Sequence, residues 1–216
     1  MNKIQACITS FQRSNGLSYL GETERSLGKT GINAITLFGK GHPRNDWANA
    51  AEVALDVAFV KNETHILMCQ DDILIAKGMG KFLENLKWRP EIGCLSLYKS
   101  SRYDERLDSD PPGFKLDPIS TTPLWGACAL LFSVEILESV IRNKHFLDFP
   151  GRADIDRAVC DAVHAIGLEF WILNPSAVQH IGDISTLGNH KAEGWRQASS
   201  FIGEDGSCEI YSHLWE

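Results

Sequence analysis

Short apolar runs alternate with helical patterns along most of the chain. The runs are short and continuous, which is typical of strands buried on both faces rather than of half-exposed strands or helices. They predict strands over residues 4–9, 32–38, 65–69, 92–98, 126–132 and 169–173.

The segments between these runs carry the spacing of helices. Asn45 or Asp46 is expected to cap an alanine-rich helix, and further helices are predicted over 80–88, from the Ser133 cap to about Asn143, and over 153–166. The alanine-rich helix is expected to bury one face, which is made of Trp47, Ala50, Ala51, Ala54 and Ala58. Strands that alternate with helices predict an α/β layer fold with a mostly parallel sheet, in a single domain spanning 1–216.

Two stretches show no period. Residues 99–123 are rich in aspartate and proline and are predicted to form a long structureless loop, a length that is usually functional or mobile. The tail after Gly188 carries several aromatic residues, and its 190–216 part is expected to pack on or cover a binding site.

The composition narrows the class of protein. The chain has 216 residues, is 44% hydrophobic and 23% charged, and carries apolar residues throughout, which excludes disorder as its main state. No run approaches the roughly 18 apolar residues of a membrane helix, so membrane insertion is not expected. The formal charge of −7 argues against holding nucleic acid by bulk charge. Six scattered cysteines, with no Cys-x-x-Cys pair, favour a reduced, intracellular setting. The expected location is the cytoplasm of a bacterial or phage-infected cell.

An acidic pair follows the third predicted strand, in the sequence Gln70-Asp71-Asp72. Ligands of open α/β sheets bind beyond the carboxyl ends of the strands. Two adjacent carboxylates repel each other unless a positive group lies beside them, and hard oxygen ligands suit Mg²⁺ or Mn²⁺ bound to a phosphorylated ligand. The alternative is a loop in which the pair caps the next helix.

Four segments, in order along the chain, resemble GT-A glycosyltransferases. Residues 4–13 are similar to the first strand and nucleotide-contacting turn of that family, and 70–72 to its Asp-x-Asp-type motif. Residues 124–132 resemble the acceptor-side strand. The closing segment 174–185, with Pro-Ser-x-x-Gln-His-Ile-Gly followed by serine, is similar to N-acetylglucosaminyltransferases of the branching (type IV) kind. The resemblance spans roughly 4–189.

The resemblance implies a metal-dependent transfer of a sugar from a nucleotide-diphosphate sugar, with a UDP-sugar as the expected donor. Asp72 and His180 would bind Mn²⁺ or Mg²⁺, and Asp71 would contact the donor ribose, or the metal through water. A neutral imidazole can join carboxylates around such a cation. The other residues implied to face the donor are Thr9, Ser10, Arg13, Arg44, Asn49, His190 and Lys191.

The acid–base candidate lies in the acidic stretch that opens the helix before the last strand. An acceptor hydroxyl needs a base within hydrogen-bond reach, and a carboxylate serves. Asp156 is the first choice, because Ile155 and Val159 set the buried helix face, and Asp154 is the second. Both could instead complement the helix dipole. Ala153-Asp154 replaces a Glu-Asp pair common in the family, which leaves the assignment open.

The acceptor stays open among a glycan, a protein and a hydroxymethylated DNA base. A DNA acceptor would need a local basic face, although a solvated loop is the preferred interpretation of the candidate residues. These candidates are Lys99, Arg102, Arg106 and Lys115. Stereochemical outcome and oligomeric state are left open.

Two other functions fit parts of the sequence. A nucleotidyltransferase also uses strand-end carboxylates and a metal, but usually carries a glycine-rich basic loop after its first strand, where this chain has only Gly16. A catalytically inactive nucleotide-sugar-binding module would keep the fold without turnover.

Overall fold

The computed structural model describes residues 1–11, 18–103, 115–119, 126–150, 154–182 and 197–215. For residues 102, 115–119 and 212–215 it gives the backbone alone. The strands are β1 Ile4–Ser10, β2 Asn33–Phe38, β3 His65–Gln70, β4 Ile73–Ile75, β5 Ile92–Ser96, β6 Lys115–Ile119, β7 Ala129–Ser133, β8 Glu169–Asn174 and β9 Val178–His180. The helices are α1 Leu20–Gly28, α2 Pro43–Lys61, α3 Met79–Asn85, α4 Val134–Ile141, α5 Lys144–Leu147 and α6 Ile155–Ala165, with 3₁₀ turns at Ser101–Tyr103 and Cys208–Trp215.

The main sheet has seven strands in the order β2-β1-β3-β7-β5-β8-β6. The pairings of β2 with β1, β1 with β3 and β5 with β8 are parallel, whereas β7 and β6 run antiparallel to their neighbours. Five strands therefore share one direction. This arrangement confirms the prediction of an α/β fold with a mostly parallel sheet.

Helices cover both faces of this sheet. Leu27 of α1 and Phe82 of α3 pack on one face, together with Tyr211 of the tail. Trp47 of α2 packs on the other face, with residues of α4, α5 and α6. Because β2 and β3 flank β1 on opposite sides and are reached through helices on opposite faces, a crevice opens beyond the carboxyl ends of β1 and β3.

Helix α2 begins earlier than predicted. It starts at Pro43, and the expected caps Asn45 and Asp46 lie in its first turn. Proline at the first position loses no helical hydrogen bond, because the first N–H groups have no partner within the helix. The Asp46 carboxylate instead accepts the N–H groups of Lys40 and His42, at 2.9 and 2.8 Å. The predicted buried face of this helix is confirmed.

The predicted loop 99–123 contains a strand, so that prediction was wrong in part. Residues 115–119 form β6 at the edge of the main sheet, antiparallel to β8. Pro118 removes an N–H from this strand, which is tolerated at a sheet edge. The stretches 104–114 and 120–125 lie outside the described residues.

A small second sheet pairs β4 with β9, and it was not predicted because each strand has only three residues. Helix α1 lies against β4. The Thr23 hydroxyl accepts the Ile73 N–H (3.0 Å) and donates to its carbonyl (2.9 Å). Ser26 makes the same two contacts with Ile75, at 2.8 and 3.1 Å. Two buried helix hydroxyls thus take the place of a neighbouring strand.

The described residues bear on two expectations drawn from composition, which concern the cysteines and membrane-spanning helices. Each of the six cysteines is buried, and none of them forms a disulfide. Among the described helices, no span has the length and apolarity needed to cross a lipid bilayer.

Candidate active site

Strands β1 and β3 bring Ser10 and Asp71 together. The two strands are parallel neighbours in a register that places Thr9 beside Gln70, so the next residue of each strand lies just beyond the same end. The Ser10 hydroxyl donates to Asp71 Oδ2 at 2.7 Å, and the Phe11 N–H approaches the same oxygen at 3.4 Å. Ser10 and Asp71 are both buried. Asp71 is therefore held by Ser10, the last residue of β1, and by Phe11 directly after it.

Asp72 and His180 meet through the small sheet. Ile73 lies opposite His180 in the β4–β9 pairing, and the Ile181 N–H donates to the Asp72 carbonyl at 2.8 Å. The Asp72 Oδ2 and His180 Nε2 atoms are 3.0 Å apart, and both side chains are about 8% exposed. Backbone pairing of β4 with β9 thus joins two residues that are far apart in sequence.

Gly182 leaves room for the Asp72 carboxylate. A Cβ atom at position 182 would lie 2.3 Å from Asp72 Oδ2 and 3.0 Å from its carboxyl carbon, well inside van der Waals contact. The backbone of residue 182 therefore packs directly against the carboxylate. Any side chain here would move Asp72 or the chain itself.

The spacing of Asp72 and His180 fits a shared cation. Ligand atoms about 2.1 Å from an octahedral ion, at right angles, lie about 3 Å from each other, and the observed separation is 3.0 Å. A carboxylate suits both Mn²⁺ and Mg²⁺, whereas an imidazole beside it favours Mn²⁺, because Mg²⁺ prefers oxygen ligands. Within the described ranges, no three His, Cys, Asp or Glu side chains gather in a metal-holding group. Asp72 and His180 would thus supply two of the ligands of the cation, and phosphate or water would have to fill the remaining coordination positions.

Asp156 lies at the same end of the sheet. Its carboxylate accepts the N–H of Gly126 at 2.8 Å and that of Arg157 at 2.9 Å. Gly126 precedes β7, whose start lies beside the end of β3, since the Gln70 N–H donates to the Cys128 carbonyl at 2.9 Å. The Gly126 contact therefore brings Asp156 to the edge that carries the acidic pair.

Burial raises the pKa of Asp156 above its usual value. The two backbone N–H groups oppose this rise by stabilising the carboxylate, and the nearby charge of Asp154 adds to it. Asp154 is itself half exposed, with Arg157 Nη1 4.0 Å away. It occupies the N-cap position of α6, but its side chain accepts no capping hydrogen bond there. Burial and the charge of Asp154 therefore make the Asp156 carboxylate a stronger base than an ordinary aspartate.

Ser176 and Gln179 hold the closing segment in place, a role that was not predicted although both belong to the motif quoted above. The buried Ser176 hydroxyl accepts the Lys99 N–H at 3.0 Å and donates to the Val178 carbonyl at 2.6 Å. The Gln179 amide oxygen accepts the N–H groups of His180 (3.1 Å) and Ala198 (2.7 Å). Both residues lie close to His180 in the sequence, and this position was the feature that could have indicated their role.

The interpretation of Lys99 as part of a solvated loop was wrong. Lys99 follows β5, is only 6% exposed, and lies under the Ser176 hydroxyl. The end of β5 passes beneath the closing segment, which removes this residue from the surface. The backbone alone is described for Arg102 and Lys115, and Arg106 lies outside the described residues.

The other residues predicted to contact the nucleotide-sugar donor lie at several different places in the chain. The Thr9 hydroxyl donates to the Cys69 carbonyl at 3.1 Å and is buried between the strands. Arg44 donates to the Phe149 carbonyl and so ties α2 to the segment after α5. Asn49 is exposed on α2. The other three residues lie outside the described part of the chain, namely Arg13, His190 and Lys191.

No protein-family model matches the sequence, and no curated protein is similar to it at a significant level. The fold is similar to three solved structures at low sequence identity. A197 from STIV is 15% identical, covers 84% of this chain and 86% of its own, and gives a TM-score of 0.49. A glycosyltransferase involved in the glycosylation of the major capsid of PBCV-1 is 11% identical over 83% of this chain and 94% of its own, with a TM-score of 0.47.

The third structure is CMP:2-keto-3-deoxy-manno-octonic acid synthetase complexed with CTP. It is 11% identical, covers 84% of this chain and 93% of its own, and gives a TM-score of 0.47. All three scores lie below 0.5, so these likenesses assign neither a family nor a function to this chain.

Proposed function

We propose that this chain is a metal-dependent glycosyltransferase of the GT-A type, which moves a sugar from a nucleotide-diphosphate sugar to an acceptor hydroxyl. A UDP-sugar is the expected donor. The observation that carries the proposal is the convergence of three groups at one end of the sheet, in the crevice where open α/β sheets bind ligands. These groups are the Ser10–Asp71 pair, the Asp72–His180 pair and the partly buried Asp156 carboxylate.

Each group has a distinct task in this mechanism. Asp72 and His180 would hold Mn²⁺ or Mg²⁺, and a cation there supplies neutralisation of the charge that develops on the leaving diphosphate. Asp71, fixed by Ser10, faces the ribose side of the donor. Asp156 accepts the proton of the acceptor hydroxyl, and its raised pKa makes it a stronger base than an ordinary aspartate.

The acceptor is proposed by chemistry alone, as a hydroxyl of a glycan, a protein or a modified DNA base. The tail after residue 197 contributes to the same end of the molecule, because its backbone is bonded to Ser176 and Gln179 of the closing segment. We place the whole chain in one catalytic domain, with this tail packed beside the site.

The test is incubation with Mn²⁺ and a panel of nucleotide sugars, with release of the nucleoside diphosphate and donor hydrolysis as readouts. At least one donor should be hydrolysed, and Asp72→Asn should weaken Mn²⁺ and donor binding at least tenfold. Asp205→Asn, which changes an exposed tail carboxylate, is the matched control. An Asp72→Asn protein with unchanged Mn²⁺ and nucleotide affinity would contradict the proposal.

The same assay separates the other functions. A nucleotidyltransferase would release inorganic diphosphate from a nucleoside triphosphate and leave nucleotide sugars intact. An inactive module would bind a nucleotide sugar with no turnover at any Mn²⁺ concentration.

A further inference from the structure

The Gln179 side chain connects the tail to His180, the next residue of β9. Its amide oxygen accepts two backbone N–H groups, from Ala198 at 2.7 Å and from His180 at 3.1 Å. Its amide nitrogen donates to the Ala198 carbonyl at 3.4 Å. One side chain thus bonds both polar groups of a tail residue, as a neighbouring strand would, and also the backbone of His180.

The His180 N–H depends on this contact because of the ladder geometry. Hydrogen bonds of an antiparallel pair alternate in direction along each strand. The Ile181 N–H donates to the Asp72 carbonyl, so the adjacent His180 N–H faces the opposite side of β9, away from β4. The Gln179 amide oxygen satisfies it there. The orientation of the His180 backbone is therefore set from the tail side as well as from β4.

The tail itself is firmly attached beyond this contact, on the C-terminal side of Ala198. The Ile202 N–H donates to the Ser176 carbonyl at 3.1 Å, and the Tyr211 hydroxyl donates to the Pro175 carbonyl at 2.9 Å. Tyr211 is fully buried and packs against Phe82 of α3, with ring centroids 5.2 Å apart. Ala198 is 5% exposed. The tail therefore offers a fixed reference to which Gln179 attaches β9.

We infer that Gln179 is a positioning residue, which holds His180 against Asp72 by anchoring its backbone to Ala198 of the tail. The inference rests on the proposed function for its consequence, the binding of a cation by Asp72 and His180. Partners that orient a metal ligand typically change metal affinity by 10- to 100-fold when removed. Loss of Gln179 should therefore weaken the cation site although Gln179 contacts neither ligand atom.

The test compares Gln179→Ala with Gln179→Glu and Tyr211→Phe in the full chain. Glutamate keeps the oxygen that accepts both N–H groups and loses only the 3.4 Å donation. Tyr211→Phe removes a different tie between the tail and the closing segment and leaves Gln179 intact. Mn²⁺ affinity is followed by electron paramagnetic resonance without donor. Amide exchange and ring signals of His180 are followed by NMR without metal.

Gln179→Ala should speed amide exchange at His180 and Ala198, shift the His180 ring signals and weaken Mn²⁺ binding about tenfold or more. Gln179→Glu should lie closer to the wild type in each readout, and Tyr211→Phe should leave Mn²⁺ affinity unchanged. Unchanged Mn²⁺ affinity in Gln179→Ala, or an equal loss in Tyr211→Phe, overturns the inference. If the wild type binds no Mn²⁺, the proposed function fails. The positioning role of Gln179 is then tested by NMR alone, and unchanged His180 ring signals in Gln179→Ala overturn it.

Discussion

Ser10 and Asp71, 61 residues apart in sequence, are joined by a 2.7 Å hydrogen bond across the ends of β1 and β3. Both side chains are buried, so the Asp71 carboxylate receives its contacts from the protein rather than from bulk water. The end of β1 and the acidic pair after β3 are therefore one structural unit. A substitution at the end of β1 should therefore alter the contacts of the Asp71 carboxylate.

Replacing Ser10 with alanine removes that contact, which is shorter than the 3.4 Å approach of the Phe11 N–H to the same oxygen. The unfolding free energy should fall by about 1–3 kcal/mol, the typical cost of a buried polar group that loses its partner. Donor affinity should fall with it. Urea unfolding and donor titration measure both effects. Ser139→Ala, on the exposed face of α4, is the control, and equal losses in the two variants would contradict this reading.

Gly182→Ala tests the space around Asp72. The added Cβ would lie 2.3 Å from Asp72 Oδ2, so the carboxylate must move away from its place beside His180. We expect at least a tenfold loss of Mn²⁺ affinity and a fall of about 1–3 kcal/mol in unfolding free energy, as in other overpacked sites. Isothermal titration and urea unfolding report the two quantities.

The matched control is Gly21→Ala in α1, where an added Cβ meets nothing within 4 Å. It should be neutral or stabilising by about 0.5–1 kcal/mol, because alanine favours a helix over glycine. A Gly182→Ala protein that binds Mn²⁺ as tightly as the wild type would show that the close contact is unimportant.

The pH dependence of activity should report Asp156. A base works in its ionised form, so the acidic limb of kcat/KM follows its pKa, which burial raises and the charge of Asp154 raises further. Asp154→Asn removes one raising contribution and should move the acidic limb to lower pH. Asp205→Asn should leave the limb in place. A shift to higher pH in Asp154→Asn, or full activity in Asp156→Asn, would exclude Asp156 as the base.

His65 gives the fold a separate sensitivity to acid. Burial lowers the pKa of His65 to about 4, against a weaker opposing effect of Glu135. The unfolded state takes up a proton near pH 6.5, whereas the folded state resists until about pH 4. Stability is therefore lost as the pH falls through this window, by about 2 kcal/mol between pH 7 and pH 5.

Urea unfolding at pH 7 and pH 5 measures this loss, and His65→Gln should reduce it. The Nε2 atom of His65 is buried and has no hydrogen-bond partner within the described part of the chain, so a proton there would gain no stabilising contact. His145→Gln, on an exposed position of α5, should keep the wild-type dependence. Identical pH dependence in both variants would assign the effect to other groups.

The parts of the fold that could be predicted are those that bury apolar side chains. The six predicted strands all belong to the main sheet. Five of them are almost wholly buried and therefore appear as continuous apolar runs, whereas β2 lies partly exposed at the sheet edge. Helix α1 escaped prediction since the residues that it buries include Thr23 and Ser26, whose hydroxyls bond to β4. Its buried face is partly polar, so the apolar spacing of a helix is absent.

The candidate site was predictable where it depends on strand ends and unpredictable where it depends on short pairings. The contact of Ser10 with Asp71 follows from two long parallel neighbours in register. The contact of Asp72 with His180 requires a sheet of three-residue strands, too short to leave a pattern in the sequence. The burial of Lys99 likewise depends on the closing segment that crosses it.

The two hydroxyls of α1 have a consequence for association between chains. A short sheet with open edges is a template on which another extended chain can pair. Here the outer edge of β4 is occupied by Thr23 and Ser26, and the outer edge of β9 by Gln179. The strands that carry Asp72 and His180 are thus protected from β-augmentation and from edge-to-edge aggregation. A partner that reaches this end of the molecule must recognise side chains, because side chains already bind the outward backbone groups of Ile73, Ile75 and Val178 and the N–H of His180.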